Sequence, residues 1–346
     1  MQLQALGYVD GSFVGDLDGD LLDAKDFLED ILNSQKADHA VREGDFARAE
    51  SLLRVLSERF PDALEFSNRL AAALSRQGKS EEASATLLKA AERAPDDPSL
   101  MAALGVHYAR TGEYSKASAL FRRAADAMPW APGLRAMAVA SQLSVSNGQE
   151  EAINLGLTYL QDFPRDYAVA GLVGVAFAKV QIAEARDLLE VGIRADRPES
   201  EVAFYLGLAE LGEGKKRRAR QLFRKELEHY PKHLQSAVSL VRIEGEYGRN
   251  QAVLEVASAG LVHHPSDLNL LLAKAQASFN LKDFSNSRLA VDLALLHHPT
   301  SSEAILLDAN LLSKEGKPEK GRKRFAEAQE ARRIESERRT TGNPTP

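Results

Sequence analysis

The sequence predicts an all-α solenoid of about nine antiparallel helix pairs, on three observations that share one period. Prolines stand at 61, 95, 129, 164, 198, 231, 265 and 299, spaced by 34, 34, 35, 34, 33, 34 and 34. Small residues recur in step at Ala37, Ala71, Gly105, Ala140, Gly174, Gly207, Ala275 and Ala309, and twelve residues later at Ala49, Ala83, Ala117, Ala152 and Ala219, with Ala185 one place off register. Between these columns lies a glycine, at Gly44, Gly78, Gly112, Gly214, Gly248 and Gly316, with Gly148 one place late.

Each part of the unit has a physical reason. Two small columns let two helix backbones approach closely, as an antiparallel pair requires. The glycine between them can take the left-handed conformation that ends the first helix and turns the chain. The proline lacks an amide donor and closes the second helix. Start signals follow: Asp62 with Glu65 and Thr300 with Glu303 have capping-box spacing, and Asp97 precedes Pro98 as a cap followed by proline at the first helical position. The second small column departs from alanine at Val253, Ser287 and Gly321, which questions how well those pairs pack.

Within "PSLMAALGVHYARTGEYSKASALFRRAADAMP", Leu104, Gly105, Tyr108, Gly112, Tyr114, Ala117, Phe121, Ala124 and Pro129 fall on signature positions, and here the chain resembles the tetratricopeptide repeat family. The resemblance implies a right-handed superhelix over 22–333, closed by a polar capping helix, with 1–21 an acidic leader and 334–346 a polar, disordered tail. It also implies that the first helices line a concave groove that binds a protein or peptide. The family's pattern assigns to that groove Ala102, Val106, Met137, Ser141, Val175, Phe204, Leu208 and Leu272 along the middle, and Asn68, Arg242, Gln276, Asn280 and Asn310 nearer the ends. A one-residue error in register would exchange groove for core. Asn68 alone does not make the family's carboxylate clamp.

The opening segment carries a second resemblance. Leu3, Ala5, Leu6, Gly7, Tyr8, Val9 and Gly11, followed by Asp23, Lys25 and Asp26, are similar to the junction after the catalytic domain of bacterial sulfatase-like proteins of the alkaline phosphatase superfamily. The resemblance implies an alternative role, a C-terminal accessory region serving partner recruitment or self-association, with 1–21 a remnant of a preceding domain. That family's nucleophile motif, Cys or Ser before x-Pro-x-Arg, is not in this chain.

Charge and motifs narrow the function further. The first thirty residues hold eight acids against Lys25, a local −7; with −6 for the whole chain, the other 316 residues sum to +1. A near-neutral body gives no electrostatic ground for nucleic acid or anionic membrane. No run approaches the ~18 apolar residues of a membrane span, and there is no secretory signal pattern, so the chain as it stands reads as cytoplasmic. It has no cysteine and none of the G-x-S-x-G, H-E-x-x-H or phosphate-loop motifs, so no catalytic role and no cofactor are expected.

Four charged or histidine clusters remain. His263, His264, His297 and His298 occupy matched positions, with His229 extending one column; the place before the proline, filled elsewhere by Phe60, Met128, Phe163 and Tyr230, reads as a packing slot rather than a metal site. His229 and His233 straddle Pro231 and share no helix face. "GDLDGDLLD" has its glycine in the wrong place for a calcium loop and Phe27 where a bidentate glutamate belongs. Lys215, Lys216, Arg217, Arg218, Arg220, Arg224 and Lys225 could face an acidic partner or a phosphate backbone, but without interleaved aromatics they read as solvated surface. Arg42, Arg76 and Arg110 stand two residues before the turn glycine and read as helix C-terminal cations.

Overall fold

The computed structural model describes residues 24–182 and 185–341, with no account of the side chains of 24–27, 132 and 338–341. Every regular element among them is helical, and the protein is an α-solenoid of repeated helix pairs. The expected acidic leader, 1–21, lies outside the described residues. Two compact units divide at Gly148 and Gln149.

The first unit holds α1 (Ala24–Glu43), α2 (Phe46–Arg59), α3 (Leu64–Arg76), α4 (Ser80–Arg93), α5 (Pro98–Arg110), α6 (Tyr114–Ala127) and α7 (Pro132–Leu143). Each helix packs on the next in sequence, and α3 also meets α5, so first helices stack on first helices. The core runs through Leu53, Leu56, Leu74, Leu87 and Leu100, with Ala37, Ala49, Ala71 and Ala83 at the helix crossings.

The second unit holds α8 (Gln149–Asp162), α9 (Tyr167–Ala178), α10 (Arg186–Gly192), α11 (Val202–Gly212), α12 (Lys216–His229), α13 (Leu234–Glu246), α14 (Asn250–His263), α15 (Leu268–Asn280), α16 (Phe284–His297), α17 (Ser302–Lys314) and α18 (Pro318–Thr341). Here too neighbours in sequence pack together, and α9 meets α11, α13 meets α15 and α15 meets α17.

The small columns do what their spacing demands. A Cβ on Gly105 would lie 2.7 Å from the ring of Phe121, and one on Gly207 would lie 2.7 Å from that of Phe223. The three departures pack as well. Val253 and Ser287 are buried, and the Ser287 hydroxyl donates to the Ala275 carbonyl at 2.8 Å, so the polar group costs no unmade bond. Gly321 brings the α18 backbone so close to α17 that an added Cβ would meet Ser313 Oγ at 2.5 Å.

Seven of the turns share one closure. In the third pair the Glu113 amide donates to the Tyr108 carbonyl at 2.8 Å across Gly112 at φ 82°, the six-to-one bond of a Schellman end. Two turns keep a positive φ without glycine. Asn147 (φ 61°), not the expected Gly148, takes that place in the fourth pair, and Lys282 (φ 63°) takes it in the eighth, where the Asp283 amide still reaches the Ser278 carbonyl at 2.9 Å.

Helix starts are one residue later than two of the three signals suggest. Asp97 caps α5, accepting from the Leu100 amide at 2.7 Å. Ala63 rather than Asp62 stands at the start of α3, and Ser301 rather than Thr300 caps α17. At the other end, the segment expected as a polar tail, 334–346, is helical as far as Thr341. Glu335 within it accepts from the Ser302 amide at 3.0 Å and hydroxyl at 2.7 Å, tying α18 to the start of α17.

The fifth pair is the irregular one. Its second helix, α10, has only seven residues, and Gly192 on it faces Gly171 of α9 so closely that a Cβ would meet the Gly171 Cα at 2.6 Å. The next helix then starts from Glu201 at φ 70°, whose amide donates to the buried Glu226 carboxylate at 2.8 Å. Burial pushes the Glu226 carboxyl up, against the backbone amide bonds that favour its charged form.

A left-handed lysine is strained where glycine is not. Lys282→Gly is expected to raise stability by about 1 kcal/mol and Gly112→Ala to lower it by about 1–2 kcal/mol, read as shifts in the denaturant midpoint.

Candidate functional site

The first helices present the predicted groove residues unequally. In the first unit, Asn68 on α3 and Ala102 and Val106 on α5 are half-buried, Met137 on α7 is 44% exposed, and Ser141 is buried. The Oδ1 of Asn68 is shielded from solvent and meets no donor. In the second unit Val175 on α9, Leu208 on α11 and Leu272 on α15 are half-buried and pack against core clusters. The residues that stand out to solvent there are polar: Arg242 on α13, Gln276 and Asn280 on α15, and Asn310 on α17.

Phe204 is a correction. It is only 9% exposed and sits in the core with Phe223 and His233, ring centroids 5.9 and 4.8 Å away. The phenyl ring packs in one cluster with Phe223, Leu240 and Ile243, so the family's pattern points it at the groove while packing turns it inward. His233 beside it caps α13, its Nδ1 accepting from the Ser236 amide at 3.2 Å, and burial pushes its imidazole below the usual histidine value. The neutral ring is the form that can accept that bond.

Amides organise the exposed face of the second unit. Gln276 Nε2 donates to Asn280 Oδ1 at 2.8 Å, and Asn280 Nδ2 donates to Asn250 Oδ1 at 3.0 Å. Asn250 opens α14 beyond the turn and was not among the expected groove residues; only the fold brings it to α15. The chain of amides leaves Gln276 Oε1, Asn250 Nδ2 and the second hydrogens of Gln276 Nε2 and Asn280 Nδ2 free to bond elsewhere.

The basic stretch is largely spent on internal partners. Lys215 reaches Glu213 at 2.6 Å, Lys216 reaches Glu246 at 2.7 Å, Arg218 pairs with Glu190, and Lys225 donates to the Ile193 carbonyl at 2.9 Å. Two fully buried acids gather Arg220 and Arg224 together with arginines outside the stretch. Glu210 is held by Arg186 at 2.7 Å and Arg218 at 3.4 Å, and Glu244 by Arg224 at 2.6 Å, Arg249 at 3.3 Å and Arg220 at 3.5 Å. They stand 34 residues apart, at one place in successive first helices. Little of this stretch is left to meet a phosphate backbone.

The histidine slot does more than fill space. His264 Nε2 donates to the Lys232 carbonyl at 2.8 Å, and His298 Nε2 to the Ser266 carbonyl at 2.7 Å; Tyr230 Oη makes the same bond to Pro198 at 2.8 Å. These three residues before the proline thus clamp the loop one repeat back. Among the described residues no group of three or more His, Asp or Glu could hold a metal ion, and no helix is long and apolar enough to cross a membrane. Arg76 ends α3 with its guanidinium 5.5 Å from the Phe46 ring, a further partner for the cation ladder. The acidic "GDLDGDLLD" stretch and the segment from Leu3 to Gly11 lie outside the described residues.

A family model of the tetratricopeptide repeat matches residues 40–106, from the end of α1 into α5. No curated protein matches. Among solved structures, MamA from strain AMB-1 is 22% identical, covering 49% of this chain and 92% of that one at a TM-score of 0.43. MamA 41-end from Desulfovibrio magneticus RS-1 is 16% identical, covering 48% and 96% at 0.42. The Cut9–Hcn1 hetero-tetramer of the APC/C is 17% identical, covering 81% and 55% at 0.46.

Two outcomes follow from this geometry. Phe204→Ala should cost about 3–5 kcal/mol of stability, as a buried phenyl does, whereas Met137→Ala should stay within about 0.5 kcal/mol. Glu244→Ala, which strips three arginines of their shared carboxylate, should cost about 2–3 kcal/mol, and Arg217→Ala, an exposed cation with no ion pair, under about 0.5 kcal/mol. Urea melts of the four variants check both contrasts.

Proposed function

We propose that this chain is a non-catalytic protein-interaction scaffold, and that the second unit captures an extended polypeptide along α13, α15 and α17. The observation that carries this reading is the hydrogen-bonded series Gln276, Asn280 and Asn250. Carboxamides offer a donor and an acceptor on one rigid end, the pattern that a peptide main chain itself presents. Joined to one another, they are already oriented, so less side-chain freedom is lost when a partner binds.

Exposed Arg242 and Asn310 stand on the first helices either side of α15 and extend the polar face. Leu272 lies half-buried on α15 itself, one turn before Gln276, and offers an apolar contact within reach of a partner side chain. The face differs from the apolar strip with a polar rim that the sequence suggests, because the apolar positions of the first helices are taken up in packing. The alternative role, an accessory region serving a sulfatase-like hydrolase, draws on the sequence of Leu3 to Gly11 with Asp23, Lys25 and Asp26 and does not alter what these helices offer.

Replacing Gln276, Asn280 and Asn310 together by alanine is expected to abolish retention of the partner that the intact protein retains in a pull-down, with the helical signal and melting midpoint held. Retention unchanged by the triple variant would refute the amide face as the binding surface. If the retained chain is a second copy of this one, size-exclusion mass of intact and triple-variant protein will show it.

A further inference from the structure

Among the described residues of the first unit, a cleft lies where two residues depart from the repeat. The cleft, of about 280 Å³, opens between α2 and α4, floored by Leu70 and Ala90. In the 34-residue register, Ser67 and Thr86 line it where the following pair has Met101, which is buried, and Leu120, which packs on the core. Two short hydroxyl side chains in place of two long apolar ones leave a space that the next repeat fills.

The walls are cationic. Arg54, Lys89 and Arg93 face the space against the single acid Glu58. Arg93 Nη1 donates to the Pro61 carbonyl at 3.0 Å, which fixes its guanidinium over the loop. Arg54 is held by Nη2, shared between Glu50 Oε1 at 2.9 Å and Glu82 Oε2 at 3.0 Å, so its Nε and Nη1 carry no protein acceptor. The hydrogen bonds to Lys79 and Arg54 hold the Glu50 carboxyl down at about 2, so that anchor stays ionised. Among the described residues no carboxylate pairs with Lys89 and no group bonds Ser67 Oγ.

We propose that this cleft binds a phosphate monoester. Lys89 and Arg93 bring two charges that pair with no carboxylate among the described residues, and Arg54, although paired with Glu50 and Glu82, keeps two nitrogens open; together these donors suit the three terminal oxygens of a dianionic phosphoryl group better than a single carboxylate. Ser67 supplies a hydroxyl at the floor. The space exceeds that of a bare anion and admits the carbon group that carries it. The proposal uses α2, α3 and α4 only and is independent of the amide face.

Calorimetric titration of the full chain with O-phosphoserine, serine and inorganic phosphate tests it. Saturable binding of O-phosphoserine is expected, with none of serine. Lys89→Ala, an exposed change that leaves folding intact, is expected to weaken binding about tenfold or more. Ser67→Met, which installs the residue of the following pair, is expected to abolish binding while the protein melts no lower than the parent. O-phosphoserine binding tighter than inorganic phosphate supports a phosphate carried on an organic group; inorganic phosphate binding as tightly would overturn the monoester in favour of the free ion. Absence of saturable binding by either phosphate, or binding unchanged in both Lys89→Ala and Ser67→Met, would overturn the proposal.

Discussion

Everything in this molecule hangs on how closely two helix backbones can approach at one point in each pair. Where Gly105 and Gly207 admit the rings of Phe121 and Phe223, there is no room even for a methyl group. The crossing fixes the second helix against the first, and the turn between them must then close within a few residues. That closure is the six-to-one bond across a left-handed residue, and it recurs in the first three pairs and again from the sixth to the ninth. A repeat protein has no distant contacts to correct a local error, so each pair must be right by itself and against its neighbours.

The second unit adds an ionic component to this scheme. Its first helices α11 and α13 bury a glutamate each, and α17 buries Asp308, paired with Arg288 and with Arg324 at 2.7 Å. Arginines from the preceding and the following elements reach those acids from partly exposed positions, with their charged ends turned inward. Such pairs contribute less to stability than their number suggests, because desolvating the carboxylate offsets much of the attraction. Their effect is on register: a helix displaced by one residue would leave Glu244 buried without its arginines. The histidine and tyrosine clamps between consecutive loops act in the same sense at the far end of each pair.

The periodic part of this architecture was legible in the sequence, and the aperiodic part was not. Proline, glycine and small-residue columns gave the pairs and nearly every turn, since each reflects a backbone requirement that few residue types meet. Lys282 escaped because a left-handed turn is recognised by glycine, and a lysine there gives no signal of its own. Asp62 and Thr300 missed their caps by one residue, since both neighbours offer plausible starts and only the tertiary entry angle decides. The buried acids were invisible for a related reason. An acidic residue reads as surface until its arginines, 5 to 24 residues away, are brought to it. The groove assignment rested on a pattern of facing positions that does not separate half-buried from exposed, so Phe204 was sent to solvent and Asn250 was left out.

Identical repeats would offer a partner the same surface at every step, so selectivity in a solenoid has to come from places where the repeat is broken. Three such places are visible. Ser67 and Thr86 leave unfilled a space that Met101 and Leu120 close in the next pair. The amides Asn250, Gln276 and Asn280 gather at one turn where the equivalent positions of the preceding pair carry Lys216, Arg242 and Glu246, already engaged in or beside an ion pair. The fifth pair shortens its second helix and starts the next from a strained Glu201 held by a buried carboxylate. The first two put unspent polar groups at the surface, and the third spends its polar groups on holding an irregular junction. A ligand can distinguish the former and has nothing to bond in the latter, which is why the reading of function follows the cleft and the amides and leaves the most irregular part of the chain to structure.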